Sequence, residues 1–250
     1  MIELEGVSLA FGGRDVLSGI DLTIGAGEFV CVVGPSGCGK TSLLRLIGGL
    51  ISPTCGEIRI NGKPIAGPSR DIAIVFQDYG RALLPWRTAY GNVSLALEAS
   101  GIRAAERGKI ILRLLSTLGL AEHASKYPSQ MSGGMQQRLQ IARCVAQSPG
   151  IFLMDEPFGS LDAMTRQVLQ DEVLRLAAER ETITFFVTHD MEEAIYLSDR
   201  VVALHTNPGR LARVVSVNLS RPRHQLATRE HPEFLRLRRE LFATMAEFHK

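Results

Sequence analysis

No apolar run in this sequence approaches the roughly 20 residues that a membrane-spanning helix needs, so no transmembrane segment is expected. Its opening, MIELEGVSLAFGG, lacks the basic start and apolar core of a secretory leader. Cysteine is scarce, and Cys31, Cys38, Cys55 and Cys144 show no paired metal-ligand spacing, which points to a reducing compartment. Charge of one sign is missing too. The 28 basic and 26 acidic side chains leave a formal net charge of +2, too balanced for nucleic acid as the main partner. There is no internal repeat and no low-complexity segment. What is present is a 250-residue chain that is 45% hydrophobic, enough for a sizeable core in one large domain or two small ones. A soluble cytoplasmic protein is expected, unless another chain holds it at a membrane.

Short apolar strands alternate with amphipathic helices, which predicts an α/β fold with a largely parallel sheet. The first part differs. Residues 2–10, 17–24 and 57–60 read as strands of a small antiparallel sheet, the first two joined by a turn. Between Thr88 and Gln147 no strand is expected, because apolar residues such as Ile110, Ile111, Leu114, Leu115 and Leu118 recur at helical spacing. Strands return at 151–154, 183–187 and 201–204. The helical stretch, about 87–147, therefore reads as an insertion into a nucleotide-binding core. A helical tail, about 221–250, follows with Phe234, Leu237, Leu241 and Phe248 in register. Its Arg221, Arg223, Arg229, Arg236, Arg238 and Arg239 are interleaved with Glu230, Glu233 and Glu240, the pattern of a solvated helix face.

After the apolar run Phe29–Val33 comes GPSGCGKTS: Gly34, Pro35, Ser36, Gly37, Cys38, Gly39, Lys40, Thr41 and Ser42. It fits the phosphate-loop pattern G-x-x-x-x-G-K-[ST] at Gly34, Gly39, Lys40 and Thr41. Glycines let the backbone curl with its N–H groups turned inward, a nest for anionic oxygens. The helix starting near Lys40 adds its positive end. Lys40 brings a compact charge to the β and γ phosphates, and Thr41 offers a hydroxyl to Mg²⁺. Further on, the buried run Ile151–Met154 ends in Asp155 and Glu156. Asp155 is placed to hold Mg²⁺, and Glu156 to polarise a water for attack on the γ-phosphate. Ser132, Gly133, Gly134, Met135 and Gln136 open another helix, with Ser132 as N-cap and two glycines leaving its end bare for an anion. One chain has no need of two phosphate-binding helix ends. The second makes sense if it serves the nucleotide held by another copy.

With these motifs in order, the sequence resembles the nucleotide-binding subunit of an ABC transporter over almost its whole length. The motifs are the phosphate loop, VFQD at residues 75–78, MSGGMQQR at 131–138, LMDEPFGSLD at 153–162 and VTHD at 187–190. The resemblance implies a P-loop NTPase core of RecA-like type, with an N-terminal antiparallel β subdomain and an inserted helical subdomain. It implies that Gln77 senses Mg²⁺ and the attacking water, and that Ser132, Gly133, Gly134 and Met135 close on the γ-phosphate of the opposite subunit. Asp162 would cross the dimer interface, His189 would contact the γ-phosphate, and Phe11 would stack on adenine. Met131 and Met135 depart from the usual leucine and glutamine of that signature, and Ser160 stands where alanine is common.

The implied cofactors are ATP and Mg²⁺. The implied partners are a second copy, two transmembrane permease subunits and a solute-binding protein, with no nucleic acid. The chain would sit peripherally on the cytoplasmic face of the inner membrane. The competing expectations are an ABC importer for another substrate class and a soluble ABC ATPase acting on nucleic acid or the ribosome, though the latter would call for a second cassette or a long coiled-coil insertion. Near Gln77 the string Leu83, Leu84, Pro85, Trp86 carries the only tryptophan, an expected interface residue. That string, with Arg221, Pro222 and Arg223, resembles the nitrate, sulfonate and taurine importer branch.

Overall fold

The computed structural model describes residues 1–179 and 181–247. Its strands are β1 (Ile2–Phe11), β2 (Arg14–Ile24), β3 (Phe29–Val33), β4 (Cys55–Ile60), β5 (Lys63–Pro64), β6 (Ile72–Val75), β7 (Ile151–Asp155), β8 (Ile183–Val187), β9 (Arg200–His205) and β10 (Arg210–Ser216). The helices are α1 (Lys40–Ile47), α2 (Tyr79–Ala82), α3 (Ala89–Ala99), α4 (Ala104–Thr117), α5 (Gly133–Ala146), α6 (Ala163–Glu179), α7 (Met191–Leu197), α8 (Ala227–Glu230) and α9 (Pro232–Glu247). None of these helices is long and apolar enough to cross a membrane. The chain forms two compact units, one from residues 1–69 with the chain from 177 onward, the other from residues 70–176.

In the first unit an antiparallel sheet runs β2-β1-β4-β5. Alternation along β1 and β2 buries Ile2, Leu4, Val7 and Leu9 beside Leu17, Ile20, Leu22 and Ile24, with Ile2 opposite Ile24 and Leu4 opposite Leu22. Gly12 and Gly13, at φ 55° and 79°, make the two-residue hairpin between Phe11 and Arg14, a turn whose positive φ angles match the strand twist. The second set of strands runs β10-β9-β3-β8. Every residue of β3 and β8 is buried, as expected of parallel strands covered on both faces. Phe29 and Phe186 meet there with ring centroids 6.0 Å apart. Behind them α1 buries Leu43, Leu44, Leu46 and Ile47.

The second unit pairs β6 with β7 in parallel and gathers α2 to α5. The helical spacing read between Thr88 and Gln147 appears as α3, α4 and α5, with Ile111, Leu115 and Leu118 fully or almost fully buried. Three strands were not expected. Lys63–Pro64 is a two-residue edge closed by proline, Ile72–Val75 is only four residues long, and β10 is exposed along most of its length.

The tail also departs from the solvated face expected of its arginines. Arg236 does lie on an exposed face, paired with Glu233 and Glu240 at 2.8 Å each. Arg223, by contrast, is 7% exposed, and its Nη1 donates to Ile195 O at 3.0 Å and Tyr196 O at 2.6 Å, the closing carbonyls of α7. Burial pulls its pKa down to about 10. Arg229 covers the Tyr196 ring at 4.9 Å and, with Arg238, pairs with Glu192 at 3.3 and 3.0 Å. Phe234, Leu237 and Leu241 are buried along α9, whereas Phe248 lies outside the described residues.

Candidate functional site

In the first unit two neighbouring parallel strands deliver the site. Val32 on β3 lies opposite Val187 on β8, so Gly34 and His189 each follow two residues beyond a matched pair. Both emerge at the carboxyl ends of adjacent strands, where α/β sheets bind ligands. The two ends of the loop, Gly34 and Gly39, are glycine by necessity. A Cβ at Gly34 would stand 2.7 Å from Cys38 Sγ and 2.8 Å from Leu204 O. One at Gly39, where φ is 95°, would stand 2.6 Å from Leu17 Cδ2. Gly37, at φ 79°, has open space where its Cβ would be, and Ser36 beside it is exposed. The result is a cradle with an open mouth.

Charge completes the cradle. Gly39 stands at the N-cap of α1 with no side-chain cap bond, so the helix start offers donors and the positive end of its dipole to an anion. Lys40 is 8% exposed, and its Nζ donates to Gly34 O at 2.7 Å and Pro35 O at 3.0 Å. Both acceptors are neutral carbonyls, which do not themselves neutralise the ammonium charge. Burial pushes the Cys38 thiol up, so it stays protonated and brings no negative charge into the loop. Thr41 and Ser42 are half-buried in the first turn of α1. Phe11, at the end of β1, is 55% exposed, a ring free of the core. His189 is exposed, between buried Thr188 and the N-cap Asp190.

The second unit repeats the device. Val75 on β6 lies opposite Met154 on β7, so Gln77 and Glu156 each follow two residues on. Gln77 Nε2 stands 3.5 Å from Glu156 Oε2, a long contact. Glu156 holds φ 46°, left-handed backbone that a side chain other than glycine rarely adopts and that gathers at functional positions. Asp155 is 4% exposed. Ser132 caps α5, its Oγ accepting from Met135 N at 3.3 Å. Gly133 follows as the first residue of α5, and at Gly134 a Cβ would press to 3.1 Å of Leu161 Cδ2. Met131 is buried and Met135 half-buried. Asp162 caps α6, accepting from Thr165 N at 3.0 Å, and that N–H holds its carboxyl below the usual carboxylate range.

Sequence reasoning missed several side chains that shape these positions. Ser160 Oγ donates to Gln137 Oε1 at 2.7 Å, tying the loop after Glu156 to α5. Gln136 Nε2 donates to Pro128 O and Met131 O at 2.9 and 3.2 Å, fixing the approach to Ser132. Asn92 is fully buried. Its two Nδ2 hydrogens are shared among Leu84 O, Arg87 O and Thr88 O, and its Oδ1 accepts from Leu84 N. It pins the loop that carries Trp86, which is itself 71% exposed. A polar residue inside an amphipathic helix carries no sequence signal of such a bond.

A strand, a glycine cradle and a helix headed by a buried lysine define a P-loop nucleotide-binding protein. The chain matches the ABC transporter family over residues 17–159, more than half its length. It belongs to that family and is an ATPase of the ATP-binding-cassette type. It is 47% identical to an uncharacterized ABC transporter ATP-binding protein of Methanocaldococcus jannaschii, over 92% of this chain and 85% of that one. The taurine import ATP-binding protein TauB of Chromobacterium violaceum is 42% identical over 96% and 93%. The bicarbonate transport ATP-binding protein CmpD of Synechococcus elongatus is 41% identical over 91% and 82%. Among solved structures, a dimeric ATP-binding cassette in a post-hydrolysis state bound to ADP and Pi is similar at TM-score 0.78 and 33% identity, covering 87% of this chain and 99% of that one.

Proposed function

We propose that this chain is the ATP-hydrolysing subunit of a multi-subunit importer for a small anion such as taurine, another sulfonate or nitrate. The observation that carries the substrate class is the pair of relatives named for taurine and bicarbonate transport, each aligned over more than nine-tenths of the chain. The assembly would hold two copies of this chain, two transmembrane permease subunits and a solute-binding protein, with this subunit peripheral at the cytoplasmic face. Exposed Trp86, in a loop braced from below by Asn92, offers a rigid aromatic anchor for a permease. Residues 87–147 would form the helical subdomain that moves with the permease, and the chain from 221 a tail.

The chemistry follows from the residues. Gly34 to Gly39 and the start of α1 bind the phosphates through backbone N–H groups, and Lys40 turns its ammonium from two carbonyls toward them. Glu156 orients a water and takes its proton at the carboxylate, with Gln77 beside it. His189 contacts the γ-phosphate, Phe11 stacks on adenine, and Ser132 to Met135 close on the nucleotide of the opposite copy, with Asp162 at the crossing. Thr41, Gln77 and Asp155 carry hard oxygen donors, the kind that would hold Mg²⁺, and the ion would supply charge neutralisation at the β and γ phosphates. The substrate is tested on the solute-binding protein that serves this transporter. Calorimetric binding of taurine, another sulfonate or nitrate is the expected result. Tight binding of a sugar or peptide with no affinity for such anions overturns the substrate class and leaves the ATPase standing.

A further inference from the structure

Residues 188–193 close on themselves around His189. Thr188 N donates to Val32 O at 3.1 Å, so the chain leaves β8 still fastened to β3. Asp190 N donates to Thr188 Oγ1 at 3.0 Å, and the Thr188 hydroxyl in turn donates to Glu193 Oε2 at 2.5 Å. Asp190 Oδ1 accepts from Glu192 N at 2.9 Å and Glu193 N at 3.1 Å. Thr188 and Glu193 are 2% and 5% exposed, while His189 between them is exposed. A carboxylate is costly to bury, and α7 already has Asp190 as its N-cap. The buried acid accepts the threonine hydroxyl, and the threonine, itself tied to β3, orients the peptide group that follows the histidine.

We propose that Glu193 is a positioning residue for His189, acting through the Thr188 hydroxyl. This rests on the reading of His189 as a γ-phosphate contact. By holding the hydroxyl hydrogen, Glu193 leaves the oxygen lone pairs of Thr188 turned to Asp190 N–H. The chain is then held at Thr188 before the histidine and at the Asp190 N–H after it, and the ring enters the site from one direction.

The test uses the full-length chain, with steady-state ATPase, nucleotide binding and the ring resonances of His189 by NMR. Glu193→Ala and Thr188→Val are each expected to lower kcat at least about tenfold, the scale at which small misplacements act. KM for ATP should stay within about twofold, and the His189 resonances should move. Glu193→Gln, whose amide oxygen still accepts the hydroxyl, and Thr188→Ser, which keeps it, should restore both readouts. A parental kcat in Glu193→Ala, or unmoved His189 resonances in both disruptive variants, overturns the proposal. Failure of the two conservative variants to restore the readouts overturns it as well, since that is the mark of a fold-only role. If His189→Ala alone turns over normally, the phosphate-contact reading falls. Displaced resonances in Thr188→Val would then still establish the positioning.

Discussion

At the scale of single residues, Glu156 combines a carboxylate with left-handed backbone at φ 46° directly after a buried strand. Glutamine tolerates that backbone as well as glutamate does, so Glu156→Gln isolates the chemistry from the geometry. Turnover should fall by a factor of about 10² to 10⁴, the usual worth of a general base, while ATP affinity holds. Turnover near the parental rate would remove Glu156 from its role. Lys40→Ala should do the opposite and weaken nucleotide binding itself, measured by equilibrium titration with labelled ATP. The phosphate loop was legible because its glycines, lysine and hydroxyl sit at fixed offsets in the chain. The partners of Ser160 and Gln136 were not, because each bond joins residues whose nearness only the fold creates.

At the scale of elements, two helix starts give separate tests. Asp162 caps α6, and its carboxyl is held low by the Thr165 N–H. A depressed folded value means the stabilisation is complete above the ordinary aspartate pKa of about 3.9 and is lost as pH falls through the lower folded value. Asp162→Asn keeps a capping oxygen without the titration. Its melting temperature should therefore fall less than the parental one across that acid window, and equal slopes would contradict the assignment. At α3, Asn92→Leu removes one side chain from four backbone partners. The cost should be about 1–3 kcal/mol for each group left buried and unsatisfied. Trp86 fluorescence should show a loosened loop, and an unchanged spectrum would mean that the loop holds itself. The elements most legible in the sequence were long or repetitive, such as α5 and the buried runs of β3 and β8. The ones missed, β5 and β6, are too short for periodicity to register, and β10 buries too little.

At the scale of the whole molecule, each compact unit places its candidate site residues just beyond the ends of two matched parallel strands. The expectation that Ser132 serves another copy is tested by mixing. A Ser132→Ala chain with a Lys40→Ala chain should recover at most one working site per dimer, while each variant alone should hydrolyse poorly. Specific activity that does not change with protein concentration, in a chain shown to be monomeric, would refute the shared site. The order of motifs made the family legible from end to end. Within the tail Arg223 was misread, because a sequence cannot tell an arginine that faces water from one that closes a helix.

The four cysteines, which carry no chemistry in the site, hold a practical consequence. Cys31, Cys38 and Cys144 are buried, and burial raises all three thiols, Cys144 to about 12, whereas Cys55 on β4 is exposed. Since the thiolate is the reactive form, a maleimide should attach once per native chain, at Cys55, and at all four cysteines only after denaturation. Intact-mass spectrometry counts the adducts directly, and two or more on the native chain would contradict the burial. The lone tryptophan, Trp86, belongs to the other unit. The unaltered protein thus carries a natural fluorophore in one unit and a single attachment point for a dye in the other, so each unit can be labelled and read separately without any cysteine being engineered away.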